Sequence, residues 1–386
     1  MSRIDDLIAE YCPNGVERKP LGAIAKLYRG NGLQKKDFTD KGIGCIHYGQ
    51  IYTRYDTFTS QTISFVDKKL ADKLLKVHPN DLIVTATSEN LEDVCKAVAW
   101  LGGSDIVTGG HSIVVRHHQN AKYLSYYFQT LDFFQRKRAY VHGTKVMEIK
   151  KDDLAKIVVP VPPLPVQEEI VRILDSFSSL EAELEAELEA RRKQYAYYRD
   201  ELLKFERVLI ASLGELCKIS VGRKNGTAGE FGEYPYVNAG TSMSGFVNEW
   251  SEEGDCVTTP SRGQGGMGFV AYQASRFWCG PLCYVMRSKH SDVMIKYVYY
   301  YLCSHKADIL GLVHEGGTPA INKSELAGLR ILVPPFEEQQ RIVSILDRFD
   351  KLTNDLSSGL PAEIEARHKQ YEYYRDRLLS FDELAA

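Results

Sequence analysis

The sequence has no run of about 18 consecutive apolar residues, so no membrane-spanning helix is expected. Its opening stretch, MSRIDDLIAEYC, carries charges where a secretory leader needs an apolar core. Export is therefore not expected, and the compartment reads as cytoplasm. Cysteine is sparse: eight residues scattered singly, the closest pair being Cys279 and Cys283. Their CxxxC spacing has no second ligand pair beside it, so ordinary buried thiols are expected in preference to a zinc site. No charge of one sign dominates: 48 Lys and Arg stand against 51 Asp and Glu, a net charge of −3. That balance does not announce a nucleic-acid binder, but such binding depends on local patches, so the class stays open.

Catalytic motifs are absent too. There is no GxxxxGK[ST], no HExxH, no GxSxG, and no Asp- or Asn-led tetrapeptide ending in PPY or PPF of the amino-methyltransferase kind. GQGGMG at 263–268 matches GxGxxG, yet FVAYQASRFW follows it and reads as strand where a dinucleotide site needs a helix. The ten histidines are dispersed; His117-His118 reads as a turn at a strand end, and His111 as a satisfied core or loop residue. Asp152-Asp153 reads as a helix start. No catalytic residue and no metal ligand is assigned. The chain is expected to position something rather than catalyse.

What the sequence has in abundance is itself. Residues 189–203 read EARRKQYAYYRDELL and residues 365–379 read EARHKQYEYYRDRLL, identical at 12 of 15 positions. IVRILDSF at 170–177 returns as IVSILDRF at 342–349, each behind a proline pair, Pro162-Pro163 and Pro334-Pro335. Fainter echoes are LGAIAKL at 21–27 with LGELCKI at 213–219, and KYLSYYF at 122–128 with KYVYYYL at 296–302. The 386 residues, 44% hydrophobic and 26% charged, are thus a tandem duplication of one globular plan.

Each copy begins with short β-branched or aromatic runs punctuated by glycine: GCIHYGQIYTRY, DLIVTAT and HSIVVRH, then PYVNAG, CVTTPS and CYVMRS. These predict strands and loops of an α+β domain, capped by the helical KYLSYYFQTLDFFQRKR and KYVYYYLCSHKADIL. Each copy then turns helical. No proline or glycine occurs from 166 to 204, and Ile170, Ile173, Leu174, Phe177, Leu180, Leu184 and Leu188 form one stripe at helical spacing. About 40 residues make a rod of roughly 60 Å. Its partner is expected over 336–381, broken near Gly359 and Pro361, packed antiparallel with a domain at each end and pseudo-two-fold symmetry. The last helix should then finish near the short helix of residues 1–11. Within the rod, LEAELEAEL at 180–188 is a four-residue acidic unit, a solvated face whose length is its interesting variable. The domain organisation reads 1–160, a helical region 161–207, 208–333, and a second helical region 334–386.

The globular parts carry glycine-flexed loops with interleaved basic, polar and aromatic residues, the types that reach phosphates and major-groove base edges. In copy one the candidates are Arg29, Asn31, Gln34, Lys35, Arg54, Ser88, Asn90, Arg138, His142 and Lys145. In copy two they are Arg223, Lys224, Asn225, Asn238, Ser261, Arg262, Gln264, His314 and Thr318. Aligning DLIVTATSENLEDV at 81–94 on DCVTTPSRGQGGMG at 255–268 pairs similar strands with dissimilar loop tips. A retained scaffold with divergent tips suits two modules reading two different targets, set about 34–36 Å apart on a duplex.

Together these features resemble the specificity subunit of a type I restriction–modification system. The resemblance covers essentially the whole chain and is carried by CPNGVERKPLG, by VPPLPVQEEIVRILDSF with VPPFEEQQRIVSILDRF, and by the paired EARxKQYxYYRDxLL blocks. It implies two target-recognition domains, each reading one half of a split site on double-stranded DNA, separated by two conserved helical regions. It further implies that the helices bind two methyltransferase subunits, for which Tyr195, Tyr198, Arg199, Tyr371, Tyr374 and Arg375 are the candidate contacts. By the same resemblance, S-adenosylmethionine for adenine methylation sits on the methyltransferase partner, and ATP and Mg on restriction subunits. This chain itself would carry no cofactor and no catalytic group. One departure is that copy two replaces the glutamate-rich unit with SSGLPAEI, so the two helical regions are not equivalent. A stand-alone two-domain DNA-binding regulator and a coiled-coil adaptor are the alternatives. The first would show a helix-turn-helix, which is not found, and the second leaves the basic loops unexplained.

Overall fold

The computed structural model describes residues 3–224, 228–314, 316–355 and 357–382. The chain forms two compact units, Met1–Glu183 with Glu365–Ala386, and Leu184–Ile364. Both are mixed α/β.

In the first unit a five-stranded sheet runs in the order Ala25–Arg29, Ser112–His117, Leu82–Thr85, Ala97–Trp100, Phe58–Thr59. Its three middle strands are rich in Val, Ile and Ala and buried on both faces. Alternation along these strands sorts their side chains: Leu82, Val84, Ala97, Ala99, Ile113 and Val115 enter one core, while Ile83, Val98, Trp100 and Val114 enter another. That is the period of two of a pleated strand. A four-stranded sheet, Ser64–Val66, Ile43–Ile46, Ile106–Thr108, Leu75–Val77, lies in the same unit. Only part of GCIHYGQIYTRY is strand. After Ile46, the His47 imidazole accepts from the Gly49 N–H and starts the helical turn Tyr48–Ile51.

In the second unit the sheet order is Cys217–Val221, Cys283–Ser288, Cys256–Pro260, Ala271–Gln273, with Tyr234–Val237 set between Phe246–Val247 and Trp278–Cys279. The stretch after GQGGMG is strand Ala271–Gln273, not helix, as its sequence predicts. Cys279 and Cys283 are buried, the Cys279 Sγ lying 3.8 Å from the Cys283 carbonyl oxygen.

The tyrosine-rich caps are helices, Ala121–Tyr127 with Leu131–Lys137, and Ile295–Ser304 with Lys306–Leu310. Buried tyrosine is stable only where its hydroxyl finds a partner. Tyr123 donates to the Pro160 carbonyl at 3.1 Å and Tyr297 to that of Leu332 at 2.6 Å. Tyr126 donates to Asp175 at 2.8 Å and Tyr300 to Asp347 at 2.5 Å. Lys122 joins Asp175, and Lys296 joins Asp347, at 2.7 and 2.8 Å.

The duplication thus persists to single hydrogen bonds. Gln167 accepts from the Asn120 N–H and donates to the Pro162 carbonyl; Gln339 accepts from the Met294 N–H and donates to that of Pro334. A Cβ on Gly22 would meet the Ala155 methyl at 3.0 Å, and one on Gly214 that of Ala327 at 3.0 Å, so the same tight approach recurs in both copies.

The long helix is Leu164–Leu202, and the boundary between the compact units falls inside it. Val166, Ile170 and Leu174 are buried, whereas Leu180 is exposed and Leu184 and Leu188 half-buried. The second helical region breaks where its glycine and proline predict, into Phe336–Asn354 and Leu360–Leu378. Inside the first unit Leu360–Leu378 runs against the first part of Leu164–Leu202. Phe177 meets Tyr374, and four residues later Glu181 meets His368, so these segments are antiparallel. The Val16 N–H donates to the Asp382 carbonyl at 2.9 Å, which brings the last helix back to the N-terminal one, Arg3–Tyr11. No helix among the described residues is long and apolar enough to cross a membrane.

Candidate nucleic-acid interface

In the first unit a cleft of about 940 Å³ is lined by Lys35, Arg54, Ser88 and Asn90, with Gln50, Tyr52, Glu89 and Asp93 among its other walls. Sequence separations of tens of residues collapse here because Tyr48–Ile51 packs on strand Leu82–Thr85. Strand Met147–Glu148 pairs with Thr87–Ser88, so the loop carrying Arg138, His142 and Lys145 leads directly into the segment that bears Ser88 and Asn90.

These candidates separate by what their side chains already hold. Arg29 donates to the Gly110 and Ile149 carbonyls and pairs with Glu148 at 3.0 Å, so it buttresses the loop base from within. Asn31 donates to the Lys73 carbonyl, and Gln34 closes a capping box with Asp37. The Asn90 amide donates to Asp93 and its carbonyl accepts the Asp93 N–H. Against the burial that would raise it, Lys96 and Asn90 hold the Asp93 carboxyl below its usual range. Ser88 is buried in its strand. The side chains of Lys35, Arg54, Arg138, His142 and Lys145 are exposed and hold no hydrogen-bond or ion-pair partner among the described residues, so they are able to take a phosphate or a base edge.

In the second unit two loops close on each other. Gly263 donates its N–H to the Pro319 carbonyl at 3.0 Å, Ile321 donates to that of Ser261 at 2.9 Å, and Arg262 bridges to Ala320. This gathers Ser261, Arg262, Gln264, His314 and Thr318. Gly263, Gly265 and Gly268 sit at positive φ, a conformation closed to most side chains, so the loop turns sharply and presents Arg262 and Gln264 outward. Both side chains are exposed and without a hydrogen-bond partner among the described residues. Thr318 is likewise exposed, while His314 is held by Glu325 at 2.7 Å. Asn238 is spent internally, accepting from the Leu282 N–H at 2.9 Å. Arg223 and Lys224 are exposed, and the Arg223 backbone accepts from the Trp278 indole and donates to the Cys279 carbonyl. Asn225 lies outside the described residues.

The helix candidates are covered to different degrees, Tyr371 buried and Tyr198 still 41% exposed. Tyr198 stacks on Phe349, with centroids 5.7 Å apart, and Tyr195 lies beside the same ring. Tyr374 stacks on Phe177, and Tyr371 is buried. Arg199 and Arg375 pair with Asp200 and Asp376. What the blocks leave in solvent is a different stripe: Tyr197 and Tyr373, 62% and 59% exposed, with Lys193–Glu189 and Lys369–Glu365 ion pairs behind them. Sequence reasoning missed this stripe, although its signal was present as identical residues at a four-residue spacing in both blocks.

The family model described as "Type I restriction modification DNA specificity domain" matches the chain twice, over residues 13–190 and 208–366. The specificity subunit of the type I restriction enzyme EcoR124I/EcoR124II from Escherichia coli is 36% identical over 266 residues. That match spans 58% of this chain and 63% of the relative's length. In fold, the chain is similar to the crystal structure of a type I restriction–modification S subunit from M. genitalium, with TM-score 0.61 and 17% identity over 94% of this chain and 96% of that one. A further solved type I chain matches with TM-score 0.60 over 95% of this chain and 98% of that one.

Proposed function

The chain belongs to the type I restriction–modification DNA specificity family, and on that premise we propose that it reads a split, asymmetric site on double-stranded DNA, one half-site per domain. It supplies no catalytic group. Its partners are two methyltransferase subunits, which bring S-adenosylmethionine and methylate adenine at N6 once the base is flipped, and restriction subunits that use ATP and Mg. It works in the cytoplasm, where that DNA lies.

The observation that carries this reading is the pairing of a repeated frame with unlike loops. Arg262-Gly263 stands where Thr87-Ser88 stands in the first copy, Arg262 pairing with Ala320 as Thr87 pairs with Glu148, and the loop residues Gln264 and Asn90 that follow are unlike. Arginine suits guanine and glutamine suits adenine in the major groove. The exposed stripes ending at Tyr197 and Tyr373 are the same in both copies, which fits two copies of one protein partner.

The test exchanges residues 1–150 for the corresponding domain of another family member and maps methylated sites in the host genome. One half of the split motif should change and the other stay. Changes in both halves, or no split motif at all, would defeat the proposal.

A further inference from the structure

The second loop of each domain has a frame that the two copies share and a tip that they do not. Val141-His142 and Val313-His314 fall at the same point of the repeat, and Ile149 and Ile321 close the loop in the core. His142 exchanges backbone hydrogen bonds with Glu148 at 2.9 and 2.7 Å, and His314 with Ala320 at 2.9 and 3.4 Å. Ile149 and Ile321 then donate to the carbonyls of Ala86 and Ser261, each at 2.9 Å. Eleven residues after each histidine comes a carboxylate, Asp153 and Glu325. Between these fixed points the tips are unrelated, GTKVM at 143–147 against EGGTP at 315–319.

Retention of a histidine through duplication usually marks a packed residue. These two are exposed, the His314 side chain at 59%. In the second copy the carboxylate contacts the histidine directly. His314 Nε2 lies 2.7 and 2.9 Å from the Glu325 oxygens, and the His314 ring holds that carboxyl below its usual range. Asp153 is lowered first by Lys156, and His142 adds to the effect. A carboxylate accepting from Nε2 fixes the ring's orientation and turns Nδ1 away from it.

What two readers of different sequences have in common is the sugar–phosphate backbone, while base edges are what differ between their targets. An exposed imidazole kept in both copies, amid tips that diverge, belongs to the shared part. Its neighbours favour DNA over a protein partner: the His314 loop is the one bridged to Arg262 and Gly263. We infer that His142 and His314 are a matched pair of DNA-phosphate contacts, one in each domain, with His314 oriented by the Glu325 carboxylate. This rests on the DNA-reading function proposed above.

The experiment uses the full chain assembled with its methyltransferase partner, and duplexes carrying the host's methylated split motif or single-base changes in it. His142→Gln, His314→Gln, the double variant and His314→Lys are compared by fluorescence anisotropy from about 50 to about 200 mM salt. Each glutamine variant should weaken every duplex alike by about 3- to 10-fold, leave the preference among duplexes unchanged and lower the salt slope by about one. The double variant should show both losses, and lysine should restore binding. Assembly and melting temperature should stay at the wild-type values. A loss confined to one base change would make the histidine a base reader and overturn the inference. Intact DNA binding with failed assembly would make it a protein contact, and unchanged binding in both glutamine variants would equally overturn it. A wild-type complex that fails to discriminate any duplex defeats the DNA-reading function itself, independently of the histidines.

Discussion

Phe177 stacks on Tyr374, ring centroids 5.5 Å apart and planes 23° from parallel, although the two belong to different copies of the repeat. The reciprocal pair, Tyr198 on Phe349, has 5.7 Å and 27°. Each stack ties the repeated block of one copy to the first helical stretch of the other. A double-mutant cycle on Phe177→Ala and Tyr374→Ala should give a coupling of about 0.5–1.5 kcal/mol by urea denaturation. Tyr373→Ala, one residue along and exposed, should change stability by less than about 0.5 kcal/mol. Equal effects at 373 and 374 would mean the stack contributes nothing.

Asp175 and Asp347 each accept from a tyrosine of the capping helix and a lysine one turn before it. Asp175→Ala strands the buried Tyr126 hydroxyl, and Asp347→Ala strands that of Tyr300. Each should cost about 1–3 kcal/mol. Calorimetry of the two variants should give similar losses. A cost at one site only would show that the copies have diverged in energy while keeping their geometry.

Arg262 and Gln264 hold no side-chain partner among the described residues, unlike Arg29 and Asn90, so substitution separates contact from scaffold. Arg262→Ala should reduce discrimination at a single base position of one half-site by about 1–3 kcal/mol and leave the other half-site untouched. Arg29→Ala should instead loosen the 142–148 loop base and lower the melting temperature. Binding measured on duplexes with each position varied distinguishes the two outcomes.

Removing residues 181–184 deletes one acidic repeat from a continuous helix and shortens it by about 6 Å. At about 3.4 Å per base step, the spacer between half-sites should contract by one or two base pairs. Methylation mapping of the variant gives the spacer directly, and an unchanged spacer would show that this helix does not set it. The same tetrapeptide should vary in number among natural isolates if its coding repeat slips, which sequencing the locus would reveal.

Two histidines of the first unit resist protonation. Burial, with Lys35 and His111 adding, pushes His47 from its ordinary 6.5 to about 4, and burial pushes His117 to about 4 as well. The unfolded chain therefore takes up these protons first as pH falls. The stability both rings confer is complete above pH 6.5 and drains away between 6.5 and about 4. Melting temperature should therefore fall as pH drops across that window. His117→Gln should flatten the profile, and an unaltered profile in that variant would remove His117 from the account.

The helices and their break were legible because proline, glycine and apolar spacing act locally. Gly359 and Pro361 announce the restart at Leu360, and the tyrosine runs announce the capping helices. The loops were legible only as a set. Whether an arginine is a contact or a brace depends on partners far away in sequence: Arg29 is a brace because Gly110, Glu148 and Ile149 come to it. The direction in which the EARxKQYxYYRDxLL blocks face was hidden for the same reason. Helical period separates Tyr197 from Tyr198, but only the position of Phe349 shows which of them stacks on a partner ring.

Tyr371 and Leu379 lie in the core of the unit that begins with the first residues of the sequence, whereas residues 184–364 are nested as one unbroken stretch. Birth order and completion order are therefore reversed. On a ribosome the nested half can close as soon as it emerges, while the half made earlier waits, its groove open, for residues 365–382 to be translated. A stop codon or frameshift just ahead of that segment would cripple the first-made reader and spare the second.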